Sequence, residues 1–461
     1  MDYSGKKVLV MGLGLHGGGL ESARFALKRG ADLTVTDLRD EAALKPSIFK
    51  LDEICRELNR PPVRYVIGRH DIDDFKAADI VIKNPGVRPD SPFLQAAKII
   101  ETDISLFLRE NPARLFGVTG TKGKSGTSAA LHHILQNPSR GGAESTGKAY
   151  LGGNITVSPL SFLDELSAGD DVVLELSSFQ LGDLKGHTHA DGSPLLKPAA
   201  AVLTAIMADH LDRYSSMEEY IDDKRNIYRG QDSSCVTVAG DDEWGRSFLA
   251  ETKGRPVMYS LKGITDKNID LLPEKLLIPG EHQRINMLAA GLAAYECGVS
   301  AENVRSALSA FRGVEHRLEM FHEAKGIRFY NDSAATIPEA AAACIEALTS
   351  ASPLVLVTGG TDKNLDFSPL VKALVTAGTK VSAVILLAGT GSEKLTSLLT
   401  DKDIAFFGPF DNLDTVVRYT LDKANPGYSV ALSPGCASFG MFLNEFDRGR
   451  KWKDTVIKMA E

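Results

Sequence analysis

Cysteine is scarce in this chain, and the few thiols form no pairing pattern. The five cysteines are scattered and make no Cys-x-x-Cys pair; they are Cys55, Cys235, Cys297, Cys344 and Cys436. An odd, dispersed set of this kind predicts reduced thiols in a cytoplasmic protein. It argues against both a disulfide framework and a cysteine-ligated zinc site.

The chain also lacks long apolar runs, a basic excess and internal repeats. No stretch of about 18 uninterrupted apolar residues occurs, so we expect no membrane-spanning helix. The N-terminus becomes apolar only briefly before its first glycines, which argues against a signal peptide. The formal net charge is −8 and there is no basic tail, so nothing proposes nucleic acid as a partner. The composition, 43% hydrophobic and 24% charged, is that of a soluble globular protein.

The most informative segment reads LFGVTGTKGKSGTS, at positions 115–128. A short apolar run enters a loop with glycines at 117, 120 and 123, Lys124 and Ser125 follow, and a helical pattern covers 127–135. In a nucleotide phosphate loop, backbone N–H groups surround the phosphates, the lysine reaches the β/γ-phosphates and the hydroxyl binds Mg²⁺. Val118 stands where the usual spacing has glycine, and a Gly-Lys-Ser loop without a nucleotide is the alternative. The predicted ATP-binding residues here are Gly120, Thr121, Lys122, Gly123, Lys124 and Ser125.

A second glycine loop lies near the N-terminus. The sequence GLGLHG at 12–17 follows the apolar run 7–11 and opens a helical pattern at 20–29, and Asp37 comes about twenty residues later. This is the dinucleotide-binding fingerprint, and by itself it predicts a nicotinamide-dependent dehydrogenase. The same geometry serves any diphosphate, and a dehydrogenase needs no second, lysine-containing phosphate loop. The two loops together favour a nucleotide diphosphate within a substrate and a triphosphate as the energy source.

Apolar runs alternating with helical patterns predict three successive α/β domains with parallel sheets. The expected boundaries are 1–112, 113–313 and 314–461, with Rossmann-like first and third domains around a central phosphate-loop ATPase domain whose sheet is mainly parallel. The strand candidates are 7–11, 33–36, 80–83, 172–176, 200–204, 354–358, 383–387 and 430–432. Further helices are predicted at 217–229 and 283–296.

Polar residues at the ends of these strands are candidate ligands, because ligands of open parallel sheets bind beyond the carboxyl ends of the strands. Glu175 lies at the end of the apolar run VVLEL and is placed to bind Mg²⁺, which prefers oxygen ligands. A strand-end charge facing solvent is the alternative. Lys224 stands in the helical stretch Asp-Asp-Lys-Arg, which is typical of an ordinary solvated helix face.

Several blocks in fixed order carry a resemblance to a known family. They are GTKGKS at 120–125, LELSSFQL at 174–181, DHLDRY at 209–214, HRLE at 316–319, NDS at 331–333 and LSP at 432–434. Together they resemble the Mur ligase family of peptidoglycan synthesis over essentially the whole chain. The LELSSFQL block and LSPGCAS at 432–438 are most similar to the branch of that family that adds D-glutamate.

The resemblance implies ATP-dependent amide bond formation. ATP would phosphorylate the carboxylate of UDP-N-acetylmuramoyl-L-alanine, and the amine of D-glutamate would attack the acyl phosphate. It further implies two Mg²⁺ sites, a carbamylated lysine and a monomer in the cytoplasm. Another Mur-type ligase or a folylpolyglutamate-type ligase is the alternative within this class; the full N-terminal nucleotide-binding domain argues against the latter.

The resemblance also implies roles for individual residues. The catalytic residues would be Lys124, Glu175, His210 and Lys224. The metal ligands would be Ser125, Glu175, His210 and Lys224 as its carbamate. ATP would further contact Gln283, Asn286, Arg317 and Asp332. The UDP-linked substrate would contact Leu15, His16, Asp37, Leu38, Arg39, Asn84 and Asn154. The amino acid would contact Thr336, Lys363, Ser438 and Phe439. A glycine turn at Asn154, an interdomain ion pair at Arg317 and a surface loop at His210 are the structural alternatives.

Overall fold

The computed structural model describes residues 2–14, 17–136, 147–155, 157–209, 213–260 and 270–460. Leu15, His16 and His210, three of the predicted site residues, lie outside these ranges. The chain forms two compact units. The first comprises Met1–Leu271 with Asn286–Arg305, and the second comprises Leu272–Ile285 with Ser306–Glu461.

The N-terminal sheet has five parallel strands in the order β3-β2-β1-β4-β5. The strands are β1 (Lys7–Met11), β2 (Asp32–Asp37), β3 (Arg64–Ile67), β4 (Ile80–Lys83) and β5 (Ile100–Glu101). The helices are α1 (Gly18–Lys28), α2 (Glu41–Glu57), α3 (Ile72–Ala77), α4 (Pro92–Gln95) and α5 (Asp103–Glu110). Because β1 lies between β2 and β4, the strand order reverses beside it, and a crevice opens beyond its carboxyl end. The first glycine loop lies at that point.

The central sheet has six parallel strands in the order β11-β10-β9-β6-β8-β7. The strands are β6 (Arg114–Thr119), β7 (Ala149–Gly153), β8 (Asp171–Glu175), β9 (Ala200–Leu203), β10 (Val236–Gly240) and β11 (Arg255–Tyr259). The helices are α6 (Lys124–Gln136), α7 (Ser178–Asp183), α8 (Met217–Arg229), α9 (Glu243–Glu251), α10 (Glu281–Glu296) and α11 (Ala301–Ala310). One cluster of buried apolar side chains extends through this sheet and the N-terminal sheet, including Val10, Leu106, Leu174 and Leu203.

The second unit contains a six-stranded sheet in the order β12-β13-β17-β14-β15-β16. The strands are β12 (Glu319–Ala324), β13 (Ile327–Asn331), β14 (Leu354–Thr358), β15 (Val381–Leu387), β16 (Phe406–Phe410) and β17 (Ser429–Leu432). The helices are α12 (Pro338–Thr349), α13 (Ser368–Ala377), α14 (Thr390–Thr400), α15 (Leu413–Lys423) and α16 (Glu445–Ala460). Trp452 of α16 is fully buried and donates its indole N–H to the Tyr330 carbonyl oxygen at 3.1 Å, which fixes α16 on the sheet.

The predicted fold class is confirmed: three mainly parallel α/β sheets follow one another along the chain. The predicted domain boundaries at 112 and 313 stay predictions.

Two details differ from expectation. Helix α6 begins at Lys124, so Lys124 and Ser125 lie in its first turn. Strand β12 pairs antiparallel with β13 at the sheet edge and was not predicted, because its sequence EMFHEA is half polar. Within the described ranges, no helix combines the length and apolarity that crossing a bilayer requires.

Candidate active site

The phosphate loop joins β6 to α6, and its glycines are sterically required. Gly120 and Gly123 have φ values of 150° and 91°. A Cβ at Gly120 would lie 1.9 Å from Thr204 Oγ1, and one at Gly123 would lie 2.5 Å from Asn286 Oδ1. The Thr204 hydroxyl in turn donates to the Lys122 carbonyl oxygen at 2.7 Å. The loop therefore passes tightly between the end of β9 and α10. Asn286, whose predicted contact with ATP stays a prediction, lies beside Gly123.

Lys124 folds back over this loop. Its Nζ donates to the carbonyl oxygens of Gly120 and Thr121 at 3.0 and 2.9 Å. Because Lys124 opens α6, its ammonium group adds to the partial positive charge that the helix N-terminus presents. The half-buried Ser125 follows in the same turn. An anion above the loop would meet backbone N–H groups, a cation and a hydroxyl together.

Glu175, at the carboxyl end of β8, is buried with 1% of its surface exposed, so the solvent-facing alternative is wrong. Its Oε1 accepts a hydrogen bond from Asn154 Nδ2 at 3.0 Å. Among the residues that the structure describes, its Oε2 has no hydrogen-bond partner although it is buried. A carboxylate oxygen in that condition is costly unless a cation or donor binds it. This oxygen fits a Mg²⁺ ligand.

Asn154 has a structural role that the sequence did not reveal. Besides its amide contact with Glu175, its backbone N–H donates to the Glu175 carbonyl oxygen at 2.8 Å. The preceding Gly153 has φ 99°, and a Cβ there would lie 2.2 Å from that same carbonyl oxygen. The left-handed backbone of this turn is at Gly153 and not at Asn154, so the alternative of an asparagine in the left-handed conformation is wrong. The turn and the polar contact together fix the orientation of the Glu175 carboxylate.

Lys224 of α8 is buried, with 1% of its surface exposed. The alternative interpretation, a lysine on a solvated helix face, is therefore wrong. Its Nζ donates to the Gly120 carbonyl oxygen at 2.9 Å and lies 4.5 Å from the centre of the Tyr220 ring. Burial, with the nearby charge of Lys124, lowers the pKa of Lys224 to about 7. Burial and the neighbouring cation thus both favour the uncharged amine of Lys224, whose nitrogen contacts the phosphate loop at Gly120.

The first glycine loop is bordered by several predicted UDP-substrate residues. Asp37, at the end of β2, accepts hydrogen bonds from the backbone N–H groups of Gly14 and Arg39 at 3.1 and 2.9 Å. Leu38 is 67% exposed. Asn84 follows β4, and its Nδ2 donates a hydrogen bond to the Gly12 carbonyl oxygen at 3.4 Å. The structure thus brings Asp37, Arg39 and Asn84 to one loop, with Asp37 shaping the loop itself.

In the second unit, Asp332 is buried and lies at the end of β13. Its Oδ1 accepts from the Leu318 backbone N–H at 3.0 Å, and its Oδ2 accepts from the Ser433 hydroxyl at 2.6 Å. Burial raises the pKa of Asp332 to about 7. Arg317 is exposed beside Leu318, and Gln283 lies in the first turn of α10.

The predicted amino-acid-binding residues cluster at the carboxyl ends of β13, β14 and β17. Thr361 and Ala437 exchange backbone hydrogen bonds of 3.1 and 3.0 Å, which joins the loop of Lys363 to the segment of Ser438. Ser438 is buried, whereas Lys363 and Phe439 are exposed. Half-buried Thr336 follows Ala335, whose carbonyl oxygen accepts from Gly435 N at 2.8 Å.

Three family models match successive segments of the chain. They are the Mur ligase MurD-like N-terminal domain at residues 6–105, the Mur ligase middle domain at 118–294 and the Mur ligase glutamate ligase domain at 316–436. The chain belongs to the Mur ligase family.

Individual Mur ligases are similar over almost their whole length. The UDP-N-acetylmuramoylalanine–D-glutamate ligase of Treponema pallidum (strain Nichols) is 36% identical, covering 98% of this chain and 97% of its own. The enzyme of the same name from Roseiflexus sp. (strain RS-1) is 38% identical, covering 99% of both chains. Among solved structures, UDP-N-acetylmuramate-alanine ligase MurC from Thermotoga maritima aligns with a TM-score of 0.57 at 21% identity, covering 98% of this chain and 99% of its own. The MurF ligase of Thermotoga maritima, in complex with ADP, aligns with a TM-score of 0.54 at 17% identity, covering 100% and 96%. These two structures share the fold.

One residue that sequence reasoning missed organises the second unit of this Mur ligase. Arg448 of α16 is fully buried and donates to the carbonyl oxygens of Ser333 and Cys436 at 2.8 and 3.1 Å. It thereby ties the Asn-Asp-Ser block to the segment that carries Ser438. In the sequence it stands in a charged stretch, DRGRKWK, that is typical of an exposed helix face.

Proposed function

We propose that this Mur ligase joins D-glutamate to UDP-N-acetylmuramoyl-L-alanine, with hydrolysis of ATP, in the synthesis of peptidoglycan precursors. The observation that carries the proposal is similarity over almost the full length to ligases of that name. The substrate carboxylate attacks the γ-phosphorus of ATP, which forms an acyl phosphate and releases ADP. The glutamate amine then attacks the acyl carbon, and inorganic phosphate leaves as the amide forms.

Both steps accumulate negative charge on oxygen atoms, so the site needs fixed donors and cations more than a protein nucleophile. Lys124 and the backbone N–H groups of the loop bind the β/γ-phosphates in this proposal. Ser125 and the Glu175 oxygen that lacks a hydrogen-bond partner among the described residues would hold a magnesium ion. Bound there, magnesium supplies positive charge to the phosphate oxygens. Mur ligases use ATP and Mg²⁺, and the buried carboxylate gives that requirement a place in this chain.

Lys224 acts in this proposal as a carbamate. Its uncharged amine adds CO₂ and releases a proton, which converts a cation into a carboxylate-like group. Its burial, its lowered pKa and its place under the loop support this chemistry. The carbamate and His210 would be the ligands of a second magnesium ion.

The UDP-linked substrate extends from the first glycine loop to Glu175 in this proposal. Asp37, Leu38, Arg39 and Asn84 contact its nucleotide end. Leu15 and His16, which lie outside the described residues, are assigned to the same end from the sequence alone. Asn154 reaches the acyl end. D-Glutamate binds in the second unit, where Lys363 offers a cation to a dicarboxylate and Thr336, Ser438 and Phe439 supply further contacts. Gln283, Asn286, Arg317 and Asp332 are assigned to ATP.

A coupled assay of ADP release tests the reaction. We expect turnover with UDP-N-acetylmuramoyl-L-alanine and D-glutamate, and little with L-glutamate or a dibasic amino acid. Preference for another amino acid would indicate a different ligase of the family. Fluorescence titration with NADH and ADP addresses the dehydrogenase alternative; tight NADH binding without ADP binding would restore it. We also propose that the protein is a monomer and lies in the cytoplasm. Analytical ultracentrifugation tests the oligomeric state.

A further inference from the structure

A buried ion pair connects the N-terminal and central sheets inside the first unit. Lys83 Nζ, at the end of β4, lies 2.6 Å from Asp183 Oδ2, at the end of α7, and these side chains are 3% and 4% exposed. Lys83 also donates to the Val87 carbonyl oxygen at 3.0 Å. A buried ion pair often adds no net stability relative to apolar residues of similar volume, because both charges lose their hydration. The pair therefore calls for an explanation other than stability.

Arg213 makes a second connection at the same junction. Its guanidinium donates to the carbonyl oxygens of Pro85 and Gly86 at 3.4 and 3.2 Å. The guanidinium carbon lies 3.7 Å from the centre of the Phe179 ring, a cation–π contact that holds the fork in place. The 83–87 loop is thus held by two cations, Lys83 and Arg213, which are both fixed by side chains of α7.

Helix α7 stands between two parts of the proposed site. It begins three residues after Glu175, where the Ser177 hydroxyl accepts from Gln180 N at 3.2 Å and caps the helix. Phe179 and Asp183, four residues apart, lie on one face of the helix and hold the 83–87 loop. That loop contains Asn84, which contacts the first glycine loop through Gly12. A short, capped helix therefore sets the distance between the first glycine loop and Glu175.

We propose that Lys83, Asp183 and Arg213 are positioning residues that fix this distance and thereby aim the acyl carboxylate of the UDP-linked substrate at the phosphate loop. The inference rests on the proposed function. When one substrate binds both loops, the distance between the loops determines where its acyl carboxylate lies relative to the phosphate loop. A displacement of about 1 Å can cost on the order of 10²-fold in rate. Among the described residues, the phosphate loop belongs to the central sheet and makes no contact with the three junction residues, whereas the first glycine loop meets the junction only through Asn84.

Two variants loosen the junction without leaving a buried charge alone. Arg213→Ala removes the fork, and the double variant Lys83→Met/Asp183→Leu replaces the buried pair by apolar side chains. The matched control is Lys197→Met/Asp232→Leu, which removes an exposed ion pair of the same 2.6 Å length in the same unit. For each protein we measure the Kd of UDP, the Kd of ADP, the melting temperature and kcat/KM for UDP-N-acetylmuramoyl-L-alanine.

We expect both junction variants to lose about 10-fold or more in kcat/KM for the UDP-linked substrate, while the Kd of ADP stays within about 2-fold of wild type and the Kd of UDP, which Asn84 can affect, changes less than kcat/KM. The control should match wild type in kcat/KM and in both Kd values. Arg213→Lys, which keeps the charge but loses the fork, should fall between Arg213→Ala and wild type. If Arg213→Ala fails to fold, Arg213→Lys and the double variant decide the question.

Two results would overturn the inference. One is an unchanged kcat/KM in both junction variants. The other is a parallel loss of UDP affinity, ADP affinity and melting temperature, which would mean general structural support. A wild-type protein that binds UDP and ADP but never turns over the UDP-linked substrate would instead refute the proposed function, so the two failures can be told apart.

Discussion

Lys124 and Lys224 donate hydrogen bonds to the same atom, the carbonyl oxygen of Gly120, at 3.0 and 2.9 Å. Two ammonium groups that share one acceptor repel each other, and Lys224 is also buried. Both effects lower the pKa of Lys224, to about 7. In the proposed function, Lys124 binds the phosphates of ATP and the uncharged form of Lys224 adds CO₂. The Gly120 carbonyl oxygen thus joins two lysines to which we assign different roles.

Lys124→Ala should abolish most of the turnover. The ammonium group faces the transferring phosphoryl group in the proposed reaction, so we expect a loss of about 10²-fold or more in kcat. Lys253→Ala is the control, because Lys253 is an exposed lysine just before β11 in the same domain and has no assigned role. Steady-state kinetics at saturating ATP check this, and equal effects of the two substitutions would contradict the role of Lys124.

Glu175→Gln should lower the affinity of the enzyme for Mg²⁺ without unfolding the chain. Glutamine keeps an acceptor for Asn154 but replaces the unpartnered carboxylate oxygen by an amide. We expect about a 10²-fold loss of kcat and a higher Mg²⁺ concentration at half-maximal activity. Exposed Glu165→Gln serves as the control. A wild-type magnesium titration curve for Glu175→Gln would remove this residue from the metal site.

Lys224→Ala should be nearly inactive, and formate or acetate should partly restore it by filling the vacated oxygen positions. Lys224→Arg should be inactive and should not respond to either acid, because its side chain fills the space and stays positively charged. Full activity of Lys224→Arg would show that the residue is an ordinary cation. The measurement is turnover across a series of carboxylate concentrations.

The carbamate itself should be visible by ¹³C NMR after addition of ¹³C-bicarbonate. Only the uncharged amine reacts with CO₂, and the pKa of Lys224 lies at about 7. The carbamate resonance should therefore weaken as the pH falls below 7, and it should be absent from Lys224→Ala. A resonance that persists in Lys224→Ala would place the modification elsewhere.

Lys363→Ala and Ser438→Ala should raise the KM for glutamate and leave that for ATP nearly unchanged. Each substitution removes a donor to a dicarboxylate, which costs about 1–3 kcal/mol when its partner is left unpaired. That corresponds to a KM increase of about 5- to 150-fold. Lys380→Ala, an exposed lysine before the amino end of β15, is the control. Equal changes in both KM values would mean that the glutamate site lies elsewhere.

Asp332→Asn should change how stability depends on pH. The folded-state pKa of Asp332 is raised to about 7, above the ordinary value near 3.9. Its contribution to stability is therefore fully present below about pH 4 and is lost as the pH rises through about 7. Asparagine can keep contacts with Leu318 and Ser433 but cannot ionise. We expect the melting temperature of the variant, relative to wild type, to be higher at pH 8 than at pH 5. Parallel curves would contradict this.

Local sequence determined the glycine loops and the strands that deliver them. The runs at 7–11 and 80–83 form β1 and β4 as predicted, and Gly120 and Gly123 occupy positions that only glycine fits. The structure of such a strand–loop–helix unit depends mainly on residues close together in the sequence, so the spacing of apolar residues and glycines predicts it. The edge strand β12 was missed, because its half-polar pattern carries little of the apolar alternation that marks a buried strand.

Burial and pairing were decided by tertiary structure. Lys224 stands in a charged helical stretch, yet its side chain is buried in the folded protein. Its hydrogen-bond partner, Gly120, lies 104 positions away in the sequence, so the local pattern gives no sign of this burial. Arg448 likewise reaches Ser333 across 115 positions, and Lys83 meets Asp183 on another sheet's helix. The sequence by itself determined the family, the fold class and the candidate residues. Which of those residues are desolvated, and which charges face one another, depends on contacts between distant segments, and only the folded chain brings these together.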